Sequence, residues 1–139
     1  MFLGEFSHSL DPKGRVILPA KFRDQLTQAY VSSSTDGCLA LWGPTQFEEQ
    51  SKVMSEKLRG DAGERSMARV FFAGAQEANP DRQGRVAIPA NLRRYAGLGD
   101  NVVVAGAYDH VEIWDAAAWQ GTWGAGEQEL HHPDGRPQP

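Results

Sequence analysis

The sequence predicts a mainly β domain with short helices, an α+β fold in which two pseudo-two-fold-related halves close a small barrel. Three observations predict it. The chain repeats itself: Asp11 to Arg23 reads DPKGRVILPAKFR and Asp81 to Arg93, seventy positions later, reads DRQGRVAIPANLR without a gap. Asp11/Asp81, Gly14/Gly84, Arg15/Arg85, Val16/Val86, Pro19/Pro89, Ala20/Ala90 and Arg23/Arg93 are identical, and CLALW at Cys38–Trp42 is echoed by HVEIW at His110–Trp114. The apolar runs are short, rich in Val, Ile and Leu, and bounded by Asp and Gly turn residues, which is a strand signature. Finally, 139 residues are one domain's worth of chain, so the halves are expected to share a core. Closing them on each other would remove the strand edges that either half leaves open.

The elements follow in order. Phe2–Ser7 alternates loosely and reads as a first strand. Asp-x-x-Gly then forms a turn, in which Asp bonds the backbone two residues on and Gly takes the positive φ of a tight reversal. Arg15–Leu18 and Arg85–Ile88 are short strands. Pro19 and Pro89 stop them and open the short helices AKFRDQL and ANLRRYAGL. Tyr30–Ser33 and Cys38–Trp42 are strands around Asp36-Gly37, matched by Asn101–Ala107 and His110–Trp114 around Tyr108-Asp109. Thr45-Gln-Phe-Glu48 has the pattern of a capping box for a helix to Leu58. A linker helix is expected around Glu64–Phe72. Asp115 is a second N-cap, for a short helix Ala116–Trp119 that Gly121, Gly124 and Gly126 should end. The predicted division is a first repeat over 1–60, a linker helix over 61–75, a second repeat over 76–126, and a polar, Pro-rich, disordered tail over 127–139.

Composition narrows the function classes. The chain is 40% hydrophobic and 23% charged, with no run near the ~20 apolar residues of a membrane helix. No secretory signal is visible at the N-terminus. The single cysteine, Cys38, excludes an internal disulfide and reads as a small buried apolar residue. A cytoplasmic protein is expected. The formal net charge is −4, yet the two windows 11–24 and 81–94 hold eight Lys and Arg against Asp11, Asp24 and Asp81; the rest holds six basic and fifteen acidic residues. A basic patch on an acidic body suits a surface aimed at one polyanion.

The two motifs DPKGRVILPAKFR and DRQGRVAIPANLRRYAGL, with FFAGA before the second and EIWD after it, resemble the MraZ family of bacterial transcriptional regulators, from Met1 to about Trp123. The resemblance implies a double-psi-like β-barrel built from two SpoVT-AbrB-type halves. It further implies ring-shaped homo-oligomers, and binding to short G-rich direct repeats in the promoter of the division and cell-wall gene cluster, in a cytoplasmic, nucleoid-associated protein. The DNA-contacting motif, carried over to this chain, comprises Asp11, Lys13, Gly14 and Arg15, with Asp81, Gly84 and Arg85 in the second copy.

Residue chemistry points the same way. Arg offers two parallel donors to guanine O6 and N7, so Arg15 and Arg85 are candidate base readers. Lys13, Lys21, Arg23, Arg82, Arg93 and Arg94 are candidate phosphate ligands. Asp11, Gly14, Asp81 and Gly84 read as turn-formers, and an internal ion pair to Asp11 or Asp81 is the alternative for each Arg. Lys13, replaced by Gln83 in the second copy, makes the first copy the expected principal reader. An enzyme is not expected: the chain has Thr35-Asp36-Gly37 where an aspartic protease needs Asp-Thr/Ser-Gly, and no Gly-Ser for self-cleavage. His8, His110, His131 and His132 lack metal-ligand spacing with Cys38. No cofactor, metal or small-molecule substrate is expected, and the partner is double-stranded DNA. The alternative is an antitoxin-like protein-binding module of the AbrB/MazE type.

Overall fold

The computed structural model describes residues 1–133. The elements run β1 (Glu5–Ser9), β2 (Arg15–Ile17), α1 (Ala20–Arg23), β3 (Tyr30–Ser33), a 3₁₀ turn at Thr35–Gly37, β4 (Leu39–Trp42), α2 (Pro44–Lys57) and α3 (Ala62–Gly74). The second half repeats the order with β5 (Gln76–Glu77), β6 (Arg85–Ala87), α4 (Ala90–Tyr95), β7 (Asn101–Gly106), β8 (Val111–Asp115) and α5 (Ala116–His131).

Six strands form one antiparallel sheet in the order β1-β7-β8-β4-β3-β5. The order is its own mirror under exchange of the halves: β1 corresponds to β5, β7 to β3 and β8 to β4. Each half therefore gives its first strand to the other half's third. β2 and β6 leave this sheet and pair with each other, Val16 opposite Val86. The fold is the expected mixture of antiparallel strands and short helices, but the strands do not close into the expected double-psi-like barrel. β1 and β5 end the sheet on opposite sides, and a two-residue β5 is too short to carry a closing ladder.

The main core lies between the sheet and the β2–β6 ribbon with its two short helices. Val16, Leu18, Phe22 and Leu26 of the first half meet Val86, Ile88 and Leu92 of the second, above Val31, Leu41, Val104 and Ile113 of the sheet. Phe2 and Phe6 each stand edge-on to Phe22 with ring centroids 5.4 Å apart, the arrangement that ring quadrupoles favour. A smaller cluster of Met54, Ala68, Phe71 and Phe47 joins α2 to α3. Cys38 is buried, as expected, and burial together with the nearby Glu112 carboxylate pushes its thiol up to about 12.

Three local expectations are corrected. The Thr45–Glu48 capping box does not form, because Pro44 is already the first helical residue and Gly43 is the N-cap. The box sits instead on α3, where the Glu64 amide donates to Asp61 Oδ1 at 2.8 Å and the Asp61 amide to Glu64 Oε1 at 3.2 Å. Pro19 and Pro89 are N-caps with extended ψ rather than first helical residues. α5 runs through its glycines to His131, so Glu127–His131 is helical rather than irregular; residues 134–139 lie outside the described residues. Trp114, Trp119 and Trp123 pack in sequence as tilted rings with centroids 5.8 and 6.0 Å apart, and the Trp119 indole donates to Glu5 Oε2. These contacts offset the glycine penalty of roughly 1 kcal/mol each.

The seam between the halves holds a titratable cluster. His110 stacks on Trp42 at 4.5 Å, with Nδ1 2.7 Å from Asp109 Oδ1 and Nε2 3.2 Å from Glu112 Oε2. The Trp114 indole donates to the other Glu112 oxygen at 3.0 Å. Burial alone would lower the His110 pKa, but the Glu112 and Asp109 carboxylates outweigh it and hold it above 6.5. The same His110 contact, partly opposed by burial, holds Glu112 below 4.5. A histidine whose folded pKa is raised contributes stability below its unfolded pKa and loses it as pH rises through the folded one; a carboxylate whose pKa is lowered does the reverse. The pair therefore contributes most between pH 4.5 and 6.5. Denaturant unfolding of wild type and His110→Gln should show their stability gap largest in that window and shrinking at more alkaline pH. A gap that widens as pH rises would contradict the ion-pair assignment.

Candidate nucleic-acid interface

The Asp-x-x-Gly-Arg turns are built identically. In the first, Asp11 Oδ1 accepts from the amides of Lys13 and Arg15, both at 2.9 Å, and Oδ2 accepts from Arg15 Nε at 2.6 Å. In the second, Asp81 Oδ1 accepts from Gln83 and Arg85 at 2.9 Å, and Oδ2 from Arg85 Nε at 2.7 Å. The Gly14 and Gly84 amides close the turns onto the carbonyls of Asp11 and Asp81 at 2.9 Å, with φ of +75° and +77°. That region is open to glycine at little strain. The Arg15 and Arg85 amides, first, then their guanidinium groups and the Lys13 and Gln83 amides, hold the two carboxyls below the usual range against some desolvation. Asp11 and Asp81 therefore make these contacts within their own turns, and Gly14 and Gly84 supply the positive φ.

The ion pair expected as the alternative for Arg15 and Arg85 is therefore formed. It occupies Nε alone, and among the described residues neither Arg gives its Nη groups to a protein acceptor. A carboxylate on Nε leaves the two terminal nitrogens as a free, oriented fork.

The fork of each half lies on one shared surface. In the β2–β6 ladder Arg15 is opposite Ala87, Val16 opposite Val86, and Ile17 opposite Arg85. Strand alternation sends Val16 and Val86 into the core and places Arg15, Ile17, Arg85 and Ala87 on the outer face. The ladder continues at each end into the other half's turn: the Leu18 amide donates to Gly84 O at 2.9 Å and Ile88 to Gly14 O at 3.0 Å. Exposed Lys13 therefore flanks one end of the ribbon, and exposed Arg82 with Gln83 the other. The backbone geometry of the two copies is alike and does not single out the first.

The remaining basic residues separate. Arg23 and Arg93 are half-buried. Arg23 Nε donates to Leu18 O at 2.9 Å and Arg93 Nη1 donates to Ile88 O. Each guanidinium also crosses to the opposite half, Arg93 against Gly14 and Arg23 against Gly84, where an added Cβ would overlap it. These two arginines lock the turns, a role the sequence reading assigned only to Asp and Gly. The signal was their identity in both copies, shared with the turn residues. Lys21 lies over the Phe6 ring at 5.1 Å and near Phe22 at 5.8 Å, a cation–π contact that holds its ammonium beside β1. Arg94 is exposed on α4. Among the described residues no group of three or more His, Cys, Asp and Glu side chains could hold a metal, and no helix is long and apolar enough to cross a membrane.

A family model described as MraZ protein, putative antitoxin-like, matches residues 1–70 and again 71–135. A protein of Thermobifida fusca named transcriptional regulator MraZ is 48% identical over 120 residues, covering 86% of this chain and 84% of its own. Proteins of the same name from Mycobacterium ulcerans and Salinispora tropica are 46% identical over 120 residues and 42% over 131, covering 86% and 94% of this chain and 84% and 92% of theirs. With two successive matches that together span residues 1–135 and relatives aligned over most of both chains, this protein belongs to the MraZ family.

Proposed function

We propose that the protein regulates transcription by inserting the β2–β6 ribbon into the major groove of duplex DNA, where Arg15 and Arg85 each take a guanine. The observation that carries this reading is the pair of Asp-anchored guanidinium forks on one face of a two-stranded ribbon. The major groove, about 12 Å wide, admits such a ribbon. Guanine O6 and N7 accept two parallel donors from one Arg, and an Asp on Nε lowers the entropy lost in aiming it. Lys13 and Arg82 flank the ribbon for phosphates, with Lys21 and Arg94 further out; Arg23 and Arg93 act on DNA chiefly through the turns they brace. The names of the relatives support the regulatory role. The operator would be short G-rich direct repeats in the promoter of the division and cell-wall gene cluster, and the protein nucleoid-associated in the cytoplasm.

Binding to repeats requires several ribbons, and the fold supports self-association into a ring. α3 covers α2 in the first half, but the described residues of the second half contain no helix that would cover α5 in the same way. Trp123 and Leu130 on α5 are 48% and 82% exposed, and Met67, Val70 and Phe72 on α3 are exposed as well. A face of α5 on one copy meeting α3 on the next is a head-to-tail contact, which closes into a ring or runs on as a filament. The antitoxin-like reading draws on the same exposed faces and on the description of the family model; it expects a bound protein and no selective DNA shift.

Electrophoretic shifts on the promoter of the cell-wall cluster test the reading. Arg15→Ala and Arg85→Ala should each weaken specific binding roughly 5- to 150-fold per contact, from about 1–3 kcal/mol for a guanine pair. Their melting should change little, because an ion pair that stays accessible to solvent contributes at most about 1 kcal/mol. Normal binding with earlier melting would leave the arginines a structural role only.

Light scattering should give a mass several times the 15.3 kDa chain, and Val70→Asp or Leu130→Asp should reduce it. A monomer at micromolar concentration would rule out the ring.

A further inference from the structure

The outer face of the ribbon is symmetric in its arginines and asymmetric in what stands between them. Opposite Arg15 is Ala87; opposite Arg85 is Ile17. Ile17 and Ala87 are equivalent positions in the two motifs. Ile17 is 44% exposed, a β-branched apolar side chain held stiffly at χ1 between two cations on a surface that faces the proposed ligand. Directly opposed strand residues have Cβ atoms about 4.5–5.5 Å apart, and residues two apart on one strand are about 7 Å apart. Base pairs follow one another every ~3.4 Å along duplex DNA. Ile17 thus stands between one and two base steps from the base taken by Arg85, and about two from that taken by Arg15. In the major groove the one apolar feature of a base edge is the C5-methyl group of thymine.

We infer that Ile17 is a specificity-determining residue that packs on the methyl group of a thymine beside the guanine read by Arg85, and that its replacement by Ala87 on the other strand gives the site a direction. The inference rests on the DNA reading above and adds what that reading lacks. With Arg15 and Arg85 alone, the pseudo-two-fold ribbon would read either orientation of its site equally. Ile17 reaches a methyl that Ala87, being shorter, leaves uncontacted, so one orientation is preferred. A protein that reads its sites in one direction favours repeats arranged head to tail over inverted ones.

Deoxyuridine is thymidine without the methyl group, which makes a direct test possible. Wild type selects duplexes from a random-sequence pool; a selected duplex is resynthesised with each thymine changed singly to deoxyuridine, and affinities are measured at fixed salt. At one thymine per bound site the change should weaken binding about 3- to 10-fold, the scale of one buried methyl contact. Ile17→Ala should bind the two versions alike, while keeping its dependence on guanine and its melting temperature. Ala87→Ile should gain a second sensitive thymine, related to the first by the pseudo-two-fold. If no deoxyuridine position matters to wild type, or if Ile17→Ala keeps the full sensitivity, the role of Ile17 is overturned while selective binding leaves the DNA reading standing. If wild type enriches no sequence at all, both fall together.

Discussion

The antiparallel pairing of Arg15–Ile17 with Arg85–Ala87 is the contact on which the rest of this molecule depends. A three-residue strand has no stable existence by itself, and among the described residues each of the two pairs only with the other. Pairing the two across the pseudo-two-fold buries Val16 and Val86 completely and carries Leu18 and Ile88 into the opposite turns. Arg23 and Arg93 can then lie against the turn glycines of the other half. The same exchange recurs in the sheet, where β1 pairs with β7 and β5 with β3. Each half is thus incomplete without its partner, although the chain reads as a tandem repeat.

This interlock also explains how an acidic protein presents a basic face. Outside the windows 11–24 and 81–94 the chain carries fifteen acidic residues against six basic ones, whereas the ribbon gathers Arg15 and Arg85 with Lys13 and Arg82 at its ends. Asp11 and Asp81 are held within their turns by two amide donors each on one oxygen, and the other oxygen holds the Nε of Arg15 or Arg85. An unpaired Arg on the same ribbon would sample many rotamers before meeting a base edge. The carboxylate settles that choice before binding.

Much of this was legible in the residues. Asp, Gly and Arg at fixed offsets specify the turn, since each has a distinct physical task there, and the ion pair between Asp and Arg was a visible alternative to base reading. What was not legible is long-range. Nothing in GRVI or GRVA says that its partner is the other copy, because so short a run fits many ladders. The contact of Arg23 and Arg93 with the turn glycines of the opposite half is likewise long-range and has no local sequence signal. Ile17 carries no signal of its own in the sequence, because its exposure depends on the ribbon. α5 outlasted its glycines because Trp114, Trp119 and Trp123 pack along it as tilted rings, a tertiary contact overriding propensity. Thr45 lost its capping role to the preceding proline, a competition between two valid helix-start signals one residue apart.

Groove reading by the ribbon can be tested without altering the protein. Dimethyl sulfate methylates guanine N7 in the major groove and adenine N3 in the minor groove, so partially methylated operator duplexes, sorted into bound and free fractions, report which groove matters. Methylation at N7 of the contacted guanines should exclude duplexes from the bound fraction, because it removes the acceptor that Arg15 or Arg85 requires. Interference confined to adenine N3, or none at any guanine, would contradict a ribbon seated in the major groove.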